Sequence, residues 1–284
     1  MTLGIIGMGL IGGSMALDLL RRGFADAVLG VEQDSAAAAA AQRMGLCSEV
    51  VSLDECVDRS DIVIVSVPVS AAPKVLREVL DRFQATGATD KIAIDVCSTK
   101  ESICAAVKYH PCRTQYVATH PMAGTEYSGP WAAQPGIFDA KACIFADAEE
   151  SSPKALRAVE EMYSALNMRI IRMSADAHDV HAAYVSHLSH IISFALALTV
   201  LDKEKDDKHI FDLASGGFSS TVRLAKSGAP MWVPILMQNR ENLLRVMDTY
   251  MDFMESFKDA LESYDEDAVR ELVEGANKIR KIIR

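Results

Sequence analysis

The chain has 284 residues, half of them apolar, which is ample for a buried core spread over one or two domains. Its net charge of −10, with a pI near 5.2 and no basic stripe interleaved with aromatics, argues against nucleic acid as a partner and reads as solubility. Cysteines at 47, 56, 97, 104, 112 and 143 make no C-x-x-C and no zinc-site spacing, so no metal is expected and the thiols point to a reducing, cytoplasmic location.

In chain order, "LGIIGMGLIGGSMALDLLRRGFADAVLGVEQD" reads as strand, glycine turn, helix and strand, with no charged leader before Leu3. Asp34 or Ser35 caps a helix through the alanine run, which Gly45 stops. "DIVIVSVP" is a continuous apolar run, as in a strand buried on both faces of a parallel sheet. A helix from about Ala72 to Phe83 follows, then the strand "KIAIDVCS" and the helix "KESICAAVKYH", for which Ser98 or Thr99 is the expected cap. "QYVATH", "ACIFADA", a helix from Ser152 and "RIIRMS" complete the alternation. The predicted class is therefore α/β, an N-terminal Rossmann-type doubly wound sheet over 1–173.

From Ser174 to Arg284 the pattern is helical throughout, giving an all-helical second domain over 174–284. Ala182 to Leu201 is apolar enough to resemble a membrane span, but it carries His187, His190 and serines, so a buried helix is expected and no membrane is called for. Leu236, Leu243, Met247, Tyr250, Met254, Phe257 and Leu261 form a packing seam that fits a partner within the chain or across a dimer.

Gly7, Gly9 and Gly12 form G-x-G-x-x-G directly after a strand, with Leu10 and Ile11 opening the helix. The first glycine permits the turn, the second the approach of a pyrophosphate and the third close helix–strand packing, while the helix N-terminus favours the phosphates. Glu32 lies twenty residues past Gly12, where a carboxylate binds a ribose 2′-hydroxyl and repels a 2′-phosphate; NAD is expected over NADP. Ligands in such sheets sit beyond the strand C-termini. Ser66 and Pro68, Ser98, and His120, the last pinned by Pro121, all fall at such ends and are candidates to line one crevice.

His178, His181, His187 and His190 share one helical stretch. At about 100° per residue, a straight helix points the first two roughly opposite the last two, so all four cannot gather on one ion. Polar recognition is expected of His187 and His190, and a structural role of His178 and His181. Arg223, after a Gly-Gly turn, is a candidate for gripping a carboxylate.

"CSTKES", "HPMAGTEYSG", "HDVHAAYVSHLSH" and "STVRLAKSGAPMW", in that order behind the glycine motif, resemble the prephenate dehydrogenase family along essentially the whole chain. The resemblance implies NAD-dependent oxidative decarboxylation of prephenate to 4-hydroxyphenylpyruvate, in tyrosine biosynthesis, by a homodimer joined through its helical domain. It implies that His120 accepts a hydrogen bond from the ring hydroxyl and that Ser98 bonds the same region near the nicotinamide. It likewise makes His190 a substrate contact with His187 nearby, Arg223 the partner of a substrate carboxylate, and Glu126 an acid at the pocket entrance. Two positions depart from the pattern. Ser189 replaces a common proline, which should straighten the helix, and Cys97 stands where glycine is common.

Alternatives are an arogenate or dual-specificity cyclohexadienyl dehydrogenase, or a non-catalytic NAD-binding regulator. A β-hydroxyacid dehydrogenase would need a lysine on the first helix of the second domain, and none occurs between Lys154 and Lys203.

Overall fold

The computed structural model describes residues 1–205 and 209–282. The chain divides into two compact units, 1–239 and 240–284.

The first unit is built on an eight-stranded sheet in the order β3-β2-β1-β4-β5-β6-β7-β8. Its strands are β1 (Thr2–Ile6), β2 (Ala27–Val31), β3 (Glu49–Val50), β4 (Ile62–Val65), β5 (Ile92–Asp95), β6 (Tyr116–Pro121), β7 (Ala142–Ala146) and β8 (Arg169–Met173). From β3 to β6 the pairing is parallel. Apolar runs such as Ile62–Val65 and Ile92–Ile94 are fully buried because helices cover both faces. On one face pack α1 (Leu10–Arg21), α2 (Ser35–Arg43) and α6 (Pro153–Ala165); on the other, α3 (Leu53–Arg59), α4 (Ala72–Thr86) and α5 (Glu101–Val107).

The doubly wound plan holds, with one change of direction. β7 runs antiparallel to β6, His120 facing Ile144 in the register, while β8 is parallel to β7. No α-helix joins β6 to β7, so the crossover that would enforce a parallel pair is missing. The connection is instead a long loop over 122–141 at the end of β6.

Asp34 caps α2 through the Ala37 N–H at 2.7 Å, as expected. At α5 the expected cap is wrong. Neither Ser98 nor Thr99 caps it; Thr99 Oγ1 donates to Gln238 instead. The first N–H groups, of Lys100 and Glu101, go to the two carboxylate oxygens of Asp179 at 2.7 and 3.0 Å. An ionised acceptor at a helix start outcompetes a neighbouring hydroxyl.

Among the described residues the last strand ends at Met173, and helices follow: α7 (Ala175–Ala182), α8 (Leu188–Glu204), α9 (Gly216–Thr221) and α10 (Ala229–Gln238). Between α7 and α8 the chain makes a π-helical turn at Ala183–His187. The straight helix expected from Ser189 is therefore not what forms. Ala175–Glu204 matches a membrane span in length and composition. Expectation of a buried helix fails, because Ser193 is the one buried residue of α8 and the others are half-buried or exposed. The apolar residues of α8 are thus left partly uncovered.

The second unit is the pair α11 (Arg240–Glu262) and α12 (Glu266–Asn277), the latter capped by Asp265. The long seam predicted from Leu236 is interrupted at Asn239, where α10 ends. Along α11, Leu243 is buried while Met254 and Leu261 are exposed.

Candidate functional site

The glycine turn is built as its sequence demands. Gly7 has φ +97°, and a Cβ there would collide with the Ser66 carbonyl. A Cβ on Gly12 would meet the Gly7 carbonyl and the Ile5 side chain. Gly9 differs, since a Cβ there would meet nothing within 4 Å. Its openness is on the outer side of the turn, at the N-cap of α1, where a pyrophosphate would rest on free N–H groups. Glu32 sits just beyond β2 and is held by three N–H groups, of Met8 (3.1 Å), Gln33 (2.9 Å) and Asp34 (3.2 Å).

β1, β4, β5 and β6 are consecutive and parallel, so the residues following them share one edge of the sheet. A cavity of about 360 Å³ runs there from Gly9, Leu10 and Ile11, past Ser66 and Pro68, to Cys97 and Ser98. Glu126 to Gly129 of the β6–β7 loop, with Pro230, Met231 and Ile235 of α10, close it. The open side of Gly9, the carboxylate at the end of β2 and this cavity together fit a dinucleotide.

His120 is nine-tenths buried near the end of β6. Its Nδ1 lies 2.8 Å from Nε2 of His178, and Nδ1 of His178 lies 2.7 Å from Asp179 Oδ1. Nε2 of His120 has no protein partner among the described residues. Among them the sole sealed, unpartnered side-chain nitrogen or oxygen is Trp232 Nε1, so His120 Nε2 opens to space. Burial, then the neighbouring His178, Lys100 and His187, push its pKa well below the ordinary histidine value. These surroundings hold the imidazole in its neutral form.

Beneath it, the fully buried Lys100 Nζ pairs with Asp95 and donates to the Thr119 carbonyl at 2.7 Å. Asp95 also accepts from Tyr116 Oη at 2.6 Å and the Cys97 N–H at 2.8 Å. This network fixes both β5 and β6 where Ser98 and His120 emerge.

His178 is buried, and both its ring nitrogens are engaged, one by His120 and one by Asp179. The π turn contributes by adding one residue to the helical cycle. That moves His187 from roughly opposite His178 to about 80° from it, and His190 to about 20°. His187 is buried, its Nδ1 3.0 Å from Asn239, its ring edge-on to Trp232, and its pKa lowered by burial to about 4. His190 stacks on Trp232 with centroids 3.4 Å apart, and burial lowers its pKa also. Its Nδ1 lies 3.0 Å from the Ser186 carbonyl, and its Nε2 has no hydrogen-bond partner among the described residues. Arg223, half-exposed, meets Glu126 at 3.1 Å.

Residues 15–172 match the family profile described as prephenate dehydrogenase, nucleotide-binding domain, and 174–275 match the prephenate dehydrogenase dimerization domain. The chain belongs to the prephenate dehydrogenase family.

Prephenate dehydrogenase of Bacillus subtilis (strain 168) is 28% identical over 267 residues, 93% of this chain and 71% of that protein. The cyclohexadienyl dehydrogenase of Zymomonas mobilis is 28% identical over 233 residues, covering 82% and 78%. Among solved structures, prephenate dehydrogenase from A. aeolicus in complex with hydroxyphenyl propionate and NAD+ superposes with a TM-score of 0.86 at 26% identity, over 99% of this chain and 98% of that one. As a prephenate dehydrogenase family member, the chain combines a Rossmann-like N-terminal part with a helical C-terminal part.

Within that frame the fold brings Ser98, Glu126 and the glycine turn to one cavity and joins Arg223 to it through Glu126. Sequence reasoning missed Asp179 and Asn239 as supports of the histidines. The adjacent "HD" at the start of α7 was the available signal, since an acid beside a histidine is a usual orienting pair.

Proposed function

We propose that the protein is an NAD-dependent prephenate dehydrogenase, converting prephenate to 4-hydroxyphenylpyruvate, carbon dioxide and NADH for tyrosine biosynthesis. The observation that carries this is a buried, neutral His120 with a free Nε2 at the same sheet edge as the dinucleotide cavity and Ser98.

Gly7, Gly9 and Gly12, with Leu10 and Ile11, hold the cofactor's phosphates, Glu32 takes a ribose hydroxyl, and Ser66 and Pro68 border its path. Bound NAD supplies the hydride acceptor. His120 Nε2 accepts the proton of the substrate's ring hydroxyl as hydride leaves the same carbon, a role worth ~10²–10⁴-fold. Ser98 orients that hydroxyl. His190, backed by the Trp232 ring, and His187 line the substrate, and Arg223 takes a carboxylate in competition with Glu126 at the entrance. Rigid support of each ring keeps the geometry productive.

The functional domains we assign are 1–173 for the cofactor and 174–284 for substrate and dimerisation. The exposed Leu198 and Leu201 of α8 and the exposed Met254 and Leu261 of α11 support a homodimer. Six free cysteines support a cytoplasmic, reducing location. The cyclohexadienyl relative supports a second reading, in which arogenate is also accepted.

The test is to mix purified protein with NAD or NADP and prephenate or arogenate, and to follow NAD(P)H absorbance. Turnover with prephenate and NAD, lost in His120→Asn with NAD binding retained, is expected. No turnover with either substrate would leave a non-catalytic NAD-binding protein.

A further inference from the structure

The proposed reaction requires one particular form of His120, and the histidine chain behind it selects that form. Asp179 accepts the Lys100 and Glu101 N–H groups, so its carboxylate acts purely as an acceptor. Nδ1 of His178, 2.7 Å from it, must then be the donor. A neutral His178 has a bare Nε2, and the atom 2.8 Å away, Nδ1 of His120, must carry a hydrogen. The remaining nitrogen of His120, Nε2, is left as a lone pair. His178 and Asp179 are 2% and 3% exposed, so no water substitutes for either contact.

We propose that His178 and Asp179 are positioning residues that lock His120 in the Nδ1–H tautomer and aim its Nε2 lone pair at the substrate hydroxyl. The catalytic half of this inference rests on His120 being the proton acceptor.

The balance is simple. The C–H electron pair leaves the hydroxyl-bearing carbon as hydride to bound NAD, and the O–H proton forms a bond to His120 Nε2. The electrons of the breaking C–CO₂ bond enter the ring as it becomes aromatic, and the phenolate oxygen so formed takes the proton back from His120 Nε2, which leaves 4-hydroxyphenylpyruvate and a neutral imidazole. His120 Nδ1–H stays hydrogen-bonded to His178 throughout, and the new imidazolium charge is offset by Asp179 through that ring. The arrangement follows the logic of an acid orienting a histidine base, with a second imidazole inserted. Asp179 is held by the start of α5, so the base is referenced to a helix end and not to a mobile side chain.

The experiment uses the full chain with ¹⁵N-labelled histidine, without substrate, at a pH above 7. Two-bond ¹H–¹⁵N spectra should show His120 protonated at Nδ1. His178→Leu should return it to mixed tautomers, and kcat should fall roughly 10²–10³-fold. KM for prephenate and Kd for NAD should stay within about threefold. His178→Gln, whose amide oxygen can accept from Nδ1–H, should recover part of kcat; it is also the informative variant if His178→Leu does not fold. An Nε2–H His120 in the unmodified protein, or an undiminished kcat in His178→Leu, overturns the proposal. If His120→Asn retains turnover, the base assignment itself falls, while the spectra still decide the tautomer independently.

Discussion

Arg223 Nη1 lies 3.1 Å from Glu126 Oε2, joining the short helical turn after α9 to the loop that follows β6, across 97 positions of sequence. The pair is half-exposed on the arginine side and much less so on the acid side. Glu126 is thereby held as a carboxylate, its pKa lowered by its own backbone N–H and by Arg223. The contact is a removable cover on a guanidinium suited to a substrate carboxylate. Arg223→Ala should raise KM for prephenate about 10–100-fold, the loss of one charge-assisted contact. Kd for NAD should hold, and titration of both ligands checks this. An unchanged KM for prephenate would remove Arg223 from the substrate site.

Gly9 and Gly7 separate cofactor binding from folding. A methyl at Gly9 would stand in open space, whereas at Gly7 it would meet the Ser66 carbonyl at a φ of +97°. Gly9→Ala should leave the thermal midpoint nearly unaltered and weaken NAD about tenfold or more, because the added Cβ occupies the pyrophosphate's place. Gly7→Ala should lower the midpoint outright, by about 1–3 kcal/mol of strain. Calorimetry of NAD binding beside thermal melts distinguishes the two.

Much of this site was legible in the sequence, and the limits were physical. G-x-G-x-x-G followed by Glu32 is local, because turn geometry and reach fix its spacing. Strand ends at Ser66, Ser98 and His120 follow from apolar runs and the parallel rule. The partnership of His120 with His178 was not legible, because 58 residues separate them and nothing in either neighbourhood marks the other. The same holds for Asp179 capping α5, where a nearby Thr99 looked sufficient. The π turn at Ala183–His187 breaks the periodicity on which helical-wheel reasoning depends, so the faces assigned to the four histidines were wrong beyond it.

Acid should act on this protein through its histidines in a defined direction. His120, His187 and His190 all have lowered pKa values, burial being the leading cause in each. Catalysis needs neutral His120, so the acid limb of kcat/KM should lie below the ordinary histidine value of about 6.5. Stability follows the same sign. His187 favours the neutral form when folded, so its contribution is intact above about pH 6.5 and is lost as pH falls through about 4. Thermal midpoints measured from pH 7 down to 4 should decline over that window, and His187→Asn should flatten the decline. A midpoint insensitive to pH across it would mean these rings are not buried neutral.

Stability at the catalytic edge should depend most on one buried pair. Lys100 and Asp95 are both fully buried; burial is the largest influence and lowers the lysine's pKa, but Asp95 together with the neighbouring Cys97 and Cys104 leaves it raised on balance, so the lysine stays charged. Lys100→Met keeps the length of the side chain and removes the charge. Asp95 would retain the Tyr116 hydroxyl and the Cys97 and Thr119 N–H groups, but as an uncompensated buried anion. The expected cost is about 3–5 kcal/mol. By contrast, Arg59 touches Glu49 and Glu55 in solvent, where water screens the pair, and Arg59→Gln should barely change stability. Urea unfolding of both variants tests the contrast. The Thr119 carbonyl that Lys100 also holds is one residue from His120, so a Lys100→Met protein that survives purification should show reduced kcat even where it remains folded. Equal stability of the two variants would mean that the charge beneath His120 is not what fixes β6 against β5.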